Sequence, residues 1–299
     1  MLRSLPGMLL IALLLLPVSQ GLASGEARPQ ELVIGLIPEL NVFKQTERFR
    51  PLGAYLSKEV GIPVRFTILS RYGNLIESFT RDQMDGAFFG SFTGALAIEK
   101  LGVVPLARPV NLDGESTYHG VIYTRKDSGI NDAAGMRGKR FAFVEKATTA
   151  GYIYPLAYLR EAGVTDIDAY LGETFFAGSH DATIYAVLDG RADVGASKNS
   201  VFDITRADDP RIERELQILA VSGKVPSNGL CVRPDLDVAL QDKLKQALLR
   251  LDKVPEGRRV LEQFHALRFI ETRVEDYQPV FGWAERAGID LKNYQYVNE

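Results

Sequence analysis

This sequence has little cysteine and little histidine, and it has no excess of positive charge. Of its 299 residues one is a cysteine, Cys231, which excludes an internal disulfide. The three histidines, His119, His180 and His265, stand far apart and without the spacing of metal ligands, so we predict no metal site. Lys and Arg number 35 against 38 Asp and Glu, a net charge of −3, and nucleic-acid binding is not expected from such a balance. Any bound anion must therefore be held by local groups.

Signatures of common catalytic centres are missing as well. The sequence has no Gly-x-Ser-x-Gly, no phosphate loop ending in Gly-Lys-Ser or Gly-Lys-Thr, and no His-Glu-x-x-His. We therefore expect a protein without catalytic residues, and we predict no cofactor.

A continuous apolar run lies near the start of the chain, at residues 8–16. It follows Arg3 and is followed by the small residues Gly21, Ala23 and Ser24. This three-part pattern predicts a signal peptide over residues 1–23 that is cleaved on secretion, which places the mature protein in the periplasm. A membrane anchor is the alternative, but a spanning helix needs about 20 apolar residues. Since Cys231 is far from the cleavage site, a lipid anchor is not supported.

The mature chain alternates short apolar, β-branched runs with amphipathic segments, which predicts an α/β fold with sheets covered on both faces. One set of alternating elements lies between residues 32 and 107 and a second between residues 140 and 196. We predict two lobes, the first from residues 30–120 and 225–299 and the second from residues 121–224. The chain would cross between them near 118–123 and 222–228. Residues 38–50 are predicted as a polar loop, with a helix only from Pro51.

Hydroxyl-bearing residues follow the predicted strands. Thr148 and Thr149, with Gly151 close behind, lie between a strand and a helix, where hydroxyls, free backbone N–H groups and the helix dipole can hold an anion. An ordinary helix cap would also explain one threonine. Ser91 and Thr93 stand at another predicted helix start, with the same two interpretations. Ligands of such sheets bind at the carboxyl ends of strands, so all these groups can face one cleft between the lobes.

A histidine occupies a similar place in the second lobe. His180, in Gly-Ser-His-Asp, lies between a short predicted strand and a helix, where it could donate to an anion. A surface or core histidine with no ligand role is the alternative.

Six segments occur together in the order and spacing of a known family: YGNLI (72–76), DGAFFG (85–90), DSGI (127–130), TTAGYIYP (148–155), GSHD (178–181) and ADVGA (192–196). In these the chain resembles the periplasmic phosphonate-, phosphite- and phosphate-binding proteins of ABC importers. The resemblance implies a type II periplasmic binding protein fold and a small oxyanion ligand. It assigns ligand-binding roles to Tyr72, Tyr118, Thr148, Thr149, Ala150 and His180.

The sequence departs from that family in ways that affect the ligand. Ala150 stands where a serine is usual, so one hydroxyl donor is lost although the backbone N–H remains. In relatives that bind aminophosphonates, acidic residues hold the amine, and the matching positions here are Ser200 and Asn228. The resemblance therefore implies a ligand without an ammonium group, unless Asp203 reaches the cleft.

The resemblance also implies the partners. A transport receptor would deliver its ligand to the membrane permease of an ABC importer. A signalling receptor of the same binding chemistry would dock on a membrane sensor kinase instead. In either case we expect a monomer.

Overall fold

The computed structural model describes residues 31–39, 42–69, 74–294 and 296. The predicted signal peptide and Tyr72 lie outside the described residues. None of the helices in the described ranges has the length and apolar character needed to cross a bilayer.

Thirteen strands form within the described residues, most of them short and apolar. They are β1 (Leu32–Leu36), β2 (Val64–Ile68), β3 (Gly86–Phe89), β4 (Val104–Asn111), β5 (Thr117–Tyr118), β6 (Gly120–Arg125), β7 (Phe141–Phe143), β8 (Thr174–Phe176), β9 (Val194–Lys198), β10 (Leu216–Val221), β11 (Val225–Pro226), β12 (Gly229–Val232) and β13 (Ala266–Glu271).

The α-helices of the described ranges connect and cover these strands. They are α1 (Val42–Val60), α2 (Asn74–Arg81), α3 (Ser91–Leu101), α4 (Tyr154–Glu161), α5 (Ile167–Tyr170), α6 (His180–Leu188), α7 (Asn199–Asp208), α8 (Arg211–Glu215), α9 (Val238–Leu249), α10 (Pro255–Phe264) and α11 (Gln278–Arg286). A π-helical turn, Thr149–Ile153, leads directly into α4.

The strands form one sheet in each lobe. The first lobe has the order β13-β4-β12-β3-β1-β2, with β1 parallel to β2 and β3. The second lobe has the order β10-β6-β9-β7-β8, with β7 parallel to β8 and β9. Parallel strands need helical crossovers that cover both faces, and β3, β7 and β9 are accordingly buried throughout. The predicted α/β class and the two lobes are confirmed.

Two extended crossings join the lobes. The chain passes from β4 to β6 through β5, and from β10 to β12 through β11. Strands β5 and β11 pair with each other in antiparallel fashion, with Tyr118 opposite Val225. The two crossings therefore lie side by side, as expected for a hinge. The sequence-based lobe boundaries, 30–120 with 225–299 and 121–224, stay predictions.

Helix α1 corrects one prediction, because the segment expected to be a polar loop is helical from Val42 onward. Pro51 lies inside this helix, where it removes a backbone hydrogen bond and crowds the preceding turn. The helix nevertheless continues, since Phe49, Leu52 and Leu56 bury one face against the sheet. Burial of such side chains, worth about 1.5–3 kcal/mol each, outweighs a proline penalty of about 3 kcal/mol.

The C-terminal helix α11 contacts both lobes. Tyr277, just before it, packs onto Gly94 of α3 so closely that a β-carbon at this glycine would lie 2.6 Å from the tyrosine ring. On its other side the Trp283 ring meets the Tyr154 ring of α4 edge-on at 5.4 Å. The helix and the residue before it therefore bridge the two lobes.

Candidate ligand site in the interlobe cleft

Three hydroxyl groups meet where the lobes face each other. Ser91 begins α3 in the first lobe, Tyr118 lies on the β5 crossing, and Thr149 begins the π-helical turn of the second lobe. The Ser91 Oγ lies 2.5 Å from the Tyr118 Oη and 2.6 Å from the Thr149 Oγ1. All three residues are buried. This cluster joins the two walls of the cleft and presents hydroxyl groups to it.

Burial makes the protonated form of Tyr118 still more favourable than it is in water. Removal from water raises the pKa of its phenol to about 12, even though hydrogen bonds from Ser91 and Thr149 act in the opposite direction. At neutral pH the phenol therefore keeps its proton and can donate a hydrogen bond.

The loop that carries Thr149 is held in place because the Gly151 backbone packs closely against the Val144 side chain. A β-carbon at Gly151 would lie 2.3 Å from the Val144 Cγ2, so only glycine fits there. The Thr148 hydroxyl donates to the Glu145 carbonyl at 2.6 Å and does not cap the helix. At the start of a helix the first backbone N–H groups have no intrahelical acceptor, so this turn offers amide donors beside the hydroxyls. Ala150 is buried beside Gly120 and contributes backbone only.

His180 begins α6, as the sequence predicts, directly after the capping residue Ser179. Its Nδ1 accepts a hydrogen bond from the Lys198 backbone N–H at 3.2 Å. Burial lowers the pKa of the imidazole to about 4, so the ring is neutral at physiological pH. Because Nδ1 acts as the acceptor, the tautomer assigned by this bond has its proton on Nε2, and the ring is a neutral hydrogen-bond donor.

Two charged residues in the cleft were missed by the sequence analysis. Lys198 is the last residue of β9, and Glu39 follows β1 in the other lobe. Their Nζ and Oε1 atoms lie 3.0 Å apart, and the Lys198 Nζ is also 3.4 Å from the Asn228 Oδ1 and 4.5 Å from the centroid of the Tyr118 ring. The available signal was their position, since both are charged and lie at or just beyond the carboxyl end of a strand.

These groups line a small cavity between the lobes. It is lined by Ile37, Glu39, Gly90, Ser91, Phe92, Tyr118, Ala147, Thr148, Thr149, His180, Lys198 and Asn228. Its volume is about 10 Å³, and Ser91 and Thr149 already contact each other across it, so the lobes are closed in this structure and must part for an oxyanion to enter.

Most of the predicted site residues come together in this cavity. The residues Tyr118, Thr148, Thr149 and His180 line it. Ala150 follows Thr149 in the chain but does not line the cavity, and Tyr72 is outside the described residues. Their roles toward a ligand stay predictions.

Not all of the positions considered for binding a ligand's amine lie at the cavity. Asn228 lines the cavity, but Ser200 and Asp203 do not. Asp203 is exposed and forms an ion pair with Arg206 at 3.0 Å. Glu39 is the acid that reaches the cleft, and Lys198 already neutralises it. Positions 200 and 228 carry no acid, but Glu39, from the segment predicted as a polar loop, brings a carboxylate into the cleft.

Other parts of the described chain offer no competing centre. The described residues contain no cluster of three or more His, Cys, Asp or Glu side chains able to hold a metal ion. A larger groove of about 380 Å³ runs between α1 and the edge strand β2, lined largely by apolar side chains such as Phe49 and Phe66. It lacks the converging hydroxyls of the interlobe cleft.

Comparison with known proteins identifies the family. Residues 34–277 match the family described as the periplasmic phosphonate substrate-binding protein of ABC transporters. The chain belongs to this family. The match includes both lobes and both crossings, so the resemblance seen in the sequence motifs is confirmed.

Individual relatives of this phosphonate-binding family cover most of the chain. A Prochlorococcus marinus protein, named a probable ABC transporter phosphite-binding protein, is 26% identical over 267 residues, which cover 85% of this chain and 89% of that protein. A phosphate-import protein of Mycolicibacterium smegmatis is 28% identical over 232 residues, which cover 74% of this chain and 72% of its own.

Solved structures confirm the fold. The Prochlorococcus marinus protein in complex with methylphosphonate superposes with a TM-score of 0.78 at 24% identity, covering 87% of this chain and 99% of that one. The binding component of a Pseudomonas aeruginosa phosphonate transporter gives a TM-score of 0.79 at 20% identity and covers 87% of each chain. The type II periplasmic binding protein fold implied by the resemblance is therefore correct.

Proposed function

We propose that this protein captures a small phosphorus oxyanion, such as a phosphonate, phosphite or phosphate, in the interlobe cleft and delivers it to the permease of an ABC importer. The observation that carries this proposal is the meeting of Ser91, Tyr118 and Thr149 hydroxyls across the cleft. The family to which the chain belongs supports the role in transport.

The cleft suits an oxyanion because its polar groups can donate hydrogen bonds from several directions. Hydroxyls and amides of the π-helical turn and the neutral His180 ring donate from the second lobe, and the Ser91 hydroxyl donates from the first. Lys198 adds one positive charge. Since these donors belong to different lobes, all of them can reach the ligand at once only when the hinge closes.

We propose binding without chemical turnover. Ser91 is hydrogen-bonded to Tyr118 and Thr149, and neither of these hydroxyls is a base able to activate it at neutral pH. The geometry thus holds an anion but does not prepare a nucleophile.

Where the protein works follows from the sequence and the family. We propose that residues 1–23 are removed on secretion and that the mature protein acts as a monomer in the periplasm. Mass spectrometry of the protein recovered from the periplasm should give a chain that begins at Ser24, and recovery of a chain that begins at Met1 would contradict the predicted cleavage.

Thermal shift and calorimetric titration test the ligand class. Phosphite, methylphosphonate and phosphate should raise the melting temperature, because a ligand that binds the folded state stabilises it by an amount that grows with the logarithm of its concentration over Kd. Sulfate and small carboxylates serve as controls. Binding of a neutral or cationic solute, with no response to any of the three phosphorus oxyanions, would refute the proposal.

A further inference from the structure

A largely buried ion pair spans the cleft. Glu39 belongs to the first lobe and Lys198 to the second, and their charged atoms lie 3.0 Å apart with side chains only 14% and 10% exposed. Another interlobe pair, Lys44 with Asp208 at 3.4 Å, is by contrast exposed on both sides. Only the first of these two pairs lines the candidate ligand cavity.

The negative and positive charges of the side chains that line the cavity cancel each other. Among the described residues around the cavity, Lys198 and His180 are the basic side chains, and burial keeps His180 neutral. Glu39 carries the opposing charge. Burial by itself raises the pKa of this carboxyl, but the charges of Lys198 and Arg48 outweigh that effect and hold the pKa below its ordinary value. The carboxylate is therefore ionised at neutral pH.

The surroundings of Lys198 restrict where its ammonium group can go. It lies over the Tyr118 ring and beside the Asn228 amide oxygen, next to the hydroxyl cluster where an oxyanion would bind. A ligand anion and the Glu39 carboxylate would thus draw on the same positive charge in the same small volume.

We propose that Glu39 is an internal competitor for Lys198 that sets the affinity of the site for oxyanions. This inference rests on the proposed oxyanion-binding function. An incoming anion must share the Lys198 ammonium group with Glu39 or displace Glu39 from it. The negative charge of the Glu39 carboxylate also repels the anion. Such a carboxylate weakens binding and keeps Lys198 in place when the lobes close.

The test compares three variants with wild type by calorimetric titration of phosphite, methylphosphonate and 2-aminoethylphosphonate. Glu39→Gln keeps the shape and removes the charge. Taking away one like charge at about 7 Å, with an effective dielectric constant of about 20, changes a binding constant by roughly tenfold or more. We therefore expect Glu39→Gln to bind all three ligands at least tenfold more tightly, and Lys198→Met to bind them at least tenfold more weakly.

Asp208→Asn provides the matched control. It breaks the exposed interlobe pair with Lys44 and should bind as wild type does, which would show that a broken contact between lobes is not enough to change affinity. A tighter Glu39→Gln variant cannot be explained by damage to the fold, since damage weakens binding.

Three results would overturn the inference. Unchanged or weaker binding of phosphite by Glu39→Gln would show that the carboxylate does not compete. A loss confined to 2-aminoethylphosphonate would instead make Glu39 a group that recognises the ligand's amine. If wild type itself binds none of the three ligands, the proposed function fails first and this inference falls with it.

Discussion

Replacing Thr149 by valine isolates one hydroxyl group of the cleft. Valine keeps the branched shape and the backbone amide but removes the Oγ1 that lies 2.6 Å from the Ser91 Oγ. The side chain is only 5% exposed, so no water takes over easily. A hydrogen bond to a charged ligand is worth about 1.5–3 kcal/mol, and about 1.4 kcal/mol corresponds to tenfold in affinity. We expect Thr149→Val to bind methylphosphonate about ten- to hundred-fold more weakly.

The same substitution should cost little stability. It removes one neutral hydrogen bond between the lobes, worth about 0.5–1.5 kcal/mol. Urea unfolding followed by circular dichroism would measure this loss, and calorimetric titration with methylphosphonate would measure the affinity.

A control variant separates the ligand contact from a general effect of losing a hydroxyl. Thr205 is also buried, but its hydroxyl donates to the Val201 carbonyl within α7, away from the cavity. Thr205→Val should keep the wild-type affinity. If Thr149→Val also binds as wild type does, the Thr149 hydroxyl does not contact the ligand, and the assignment of the loop as the anion site is refuted.

Three further predictions concern pH, packing and closure. Because the pKa of His180 is lowered from 6.5 to about 4 by burial, the unfolded state takes up a proton more readily, so stability is fully present above about pH 6.5 and is lost as pH falls toward 4. The loss amounts to about 3 kcal/mol, and urea unfolding at several pH values should show it reduced in His180→Asn, whereas an identical pH profile in the variant would contradict the assignment. Gly151→Ala, which forces a β-carbon to 2.3 Å from Val144, should destabilise the protein by about 1–3 kcal/mol, while Gly282→Ala, with its nearest atom at 3.5 Å, should be neutral or slightly stabilising in thermal unfolding. Small-angle scattering should show a smaller radius of gyration at saturating methylphosphonate as the hinge at β5 and β11 closes, and an unchanged radius would count against closure.

Much of the fold could be predicted because it follows from local patterns. Apolar, β-branched runs separated by amphipathic segments are enough to predict strands and helices, and their interruption near residues 118 and 222 indicated the two crossings. The first residue of α1 could not be predicted from such local patterns. Pro51 favours a helix start by local rules, and only the packing of Phe49 and its neighbours on the sheet shows that the helix begins earlier.

For the site, the amino-acid sequence alone shows which donors are available and that they follow predicted strands. Thr148, Thr149 and His180 were found from their places at the starts of helices, and family motifs supported them. Which of these groups contact each other depends on the three-dimensional packing of the two lobes. Ser91 and Thr149 are separated by 58 residues and Glu39 and Lys198 by 159, and each pair joins two lobes. No local periodicity records such contacts, because they depend on how two separately folded sheets are placed by the hinge. Burial in that cleft lowers the pKa of His180 and raises the pKa of Tyr118, and the residue types alone do not give either shift.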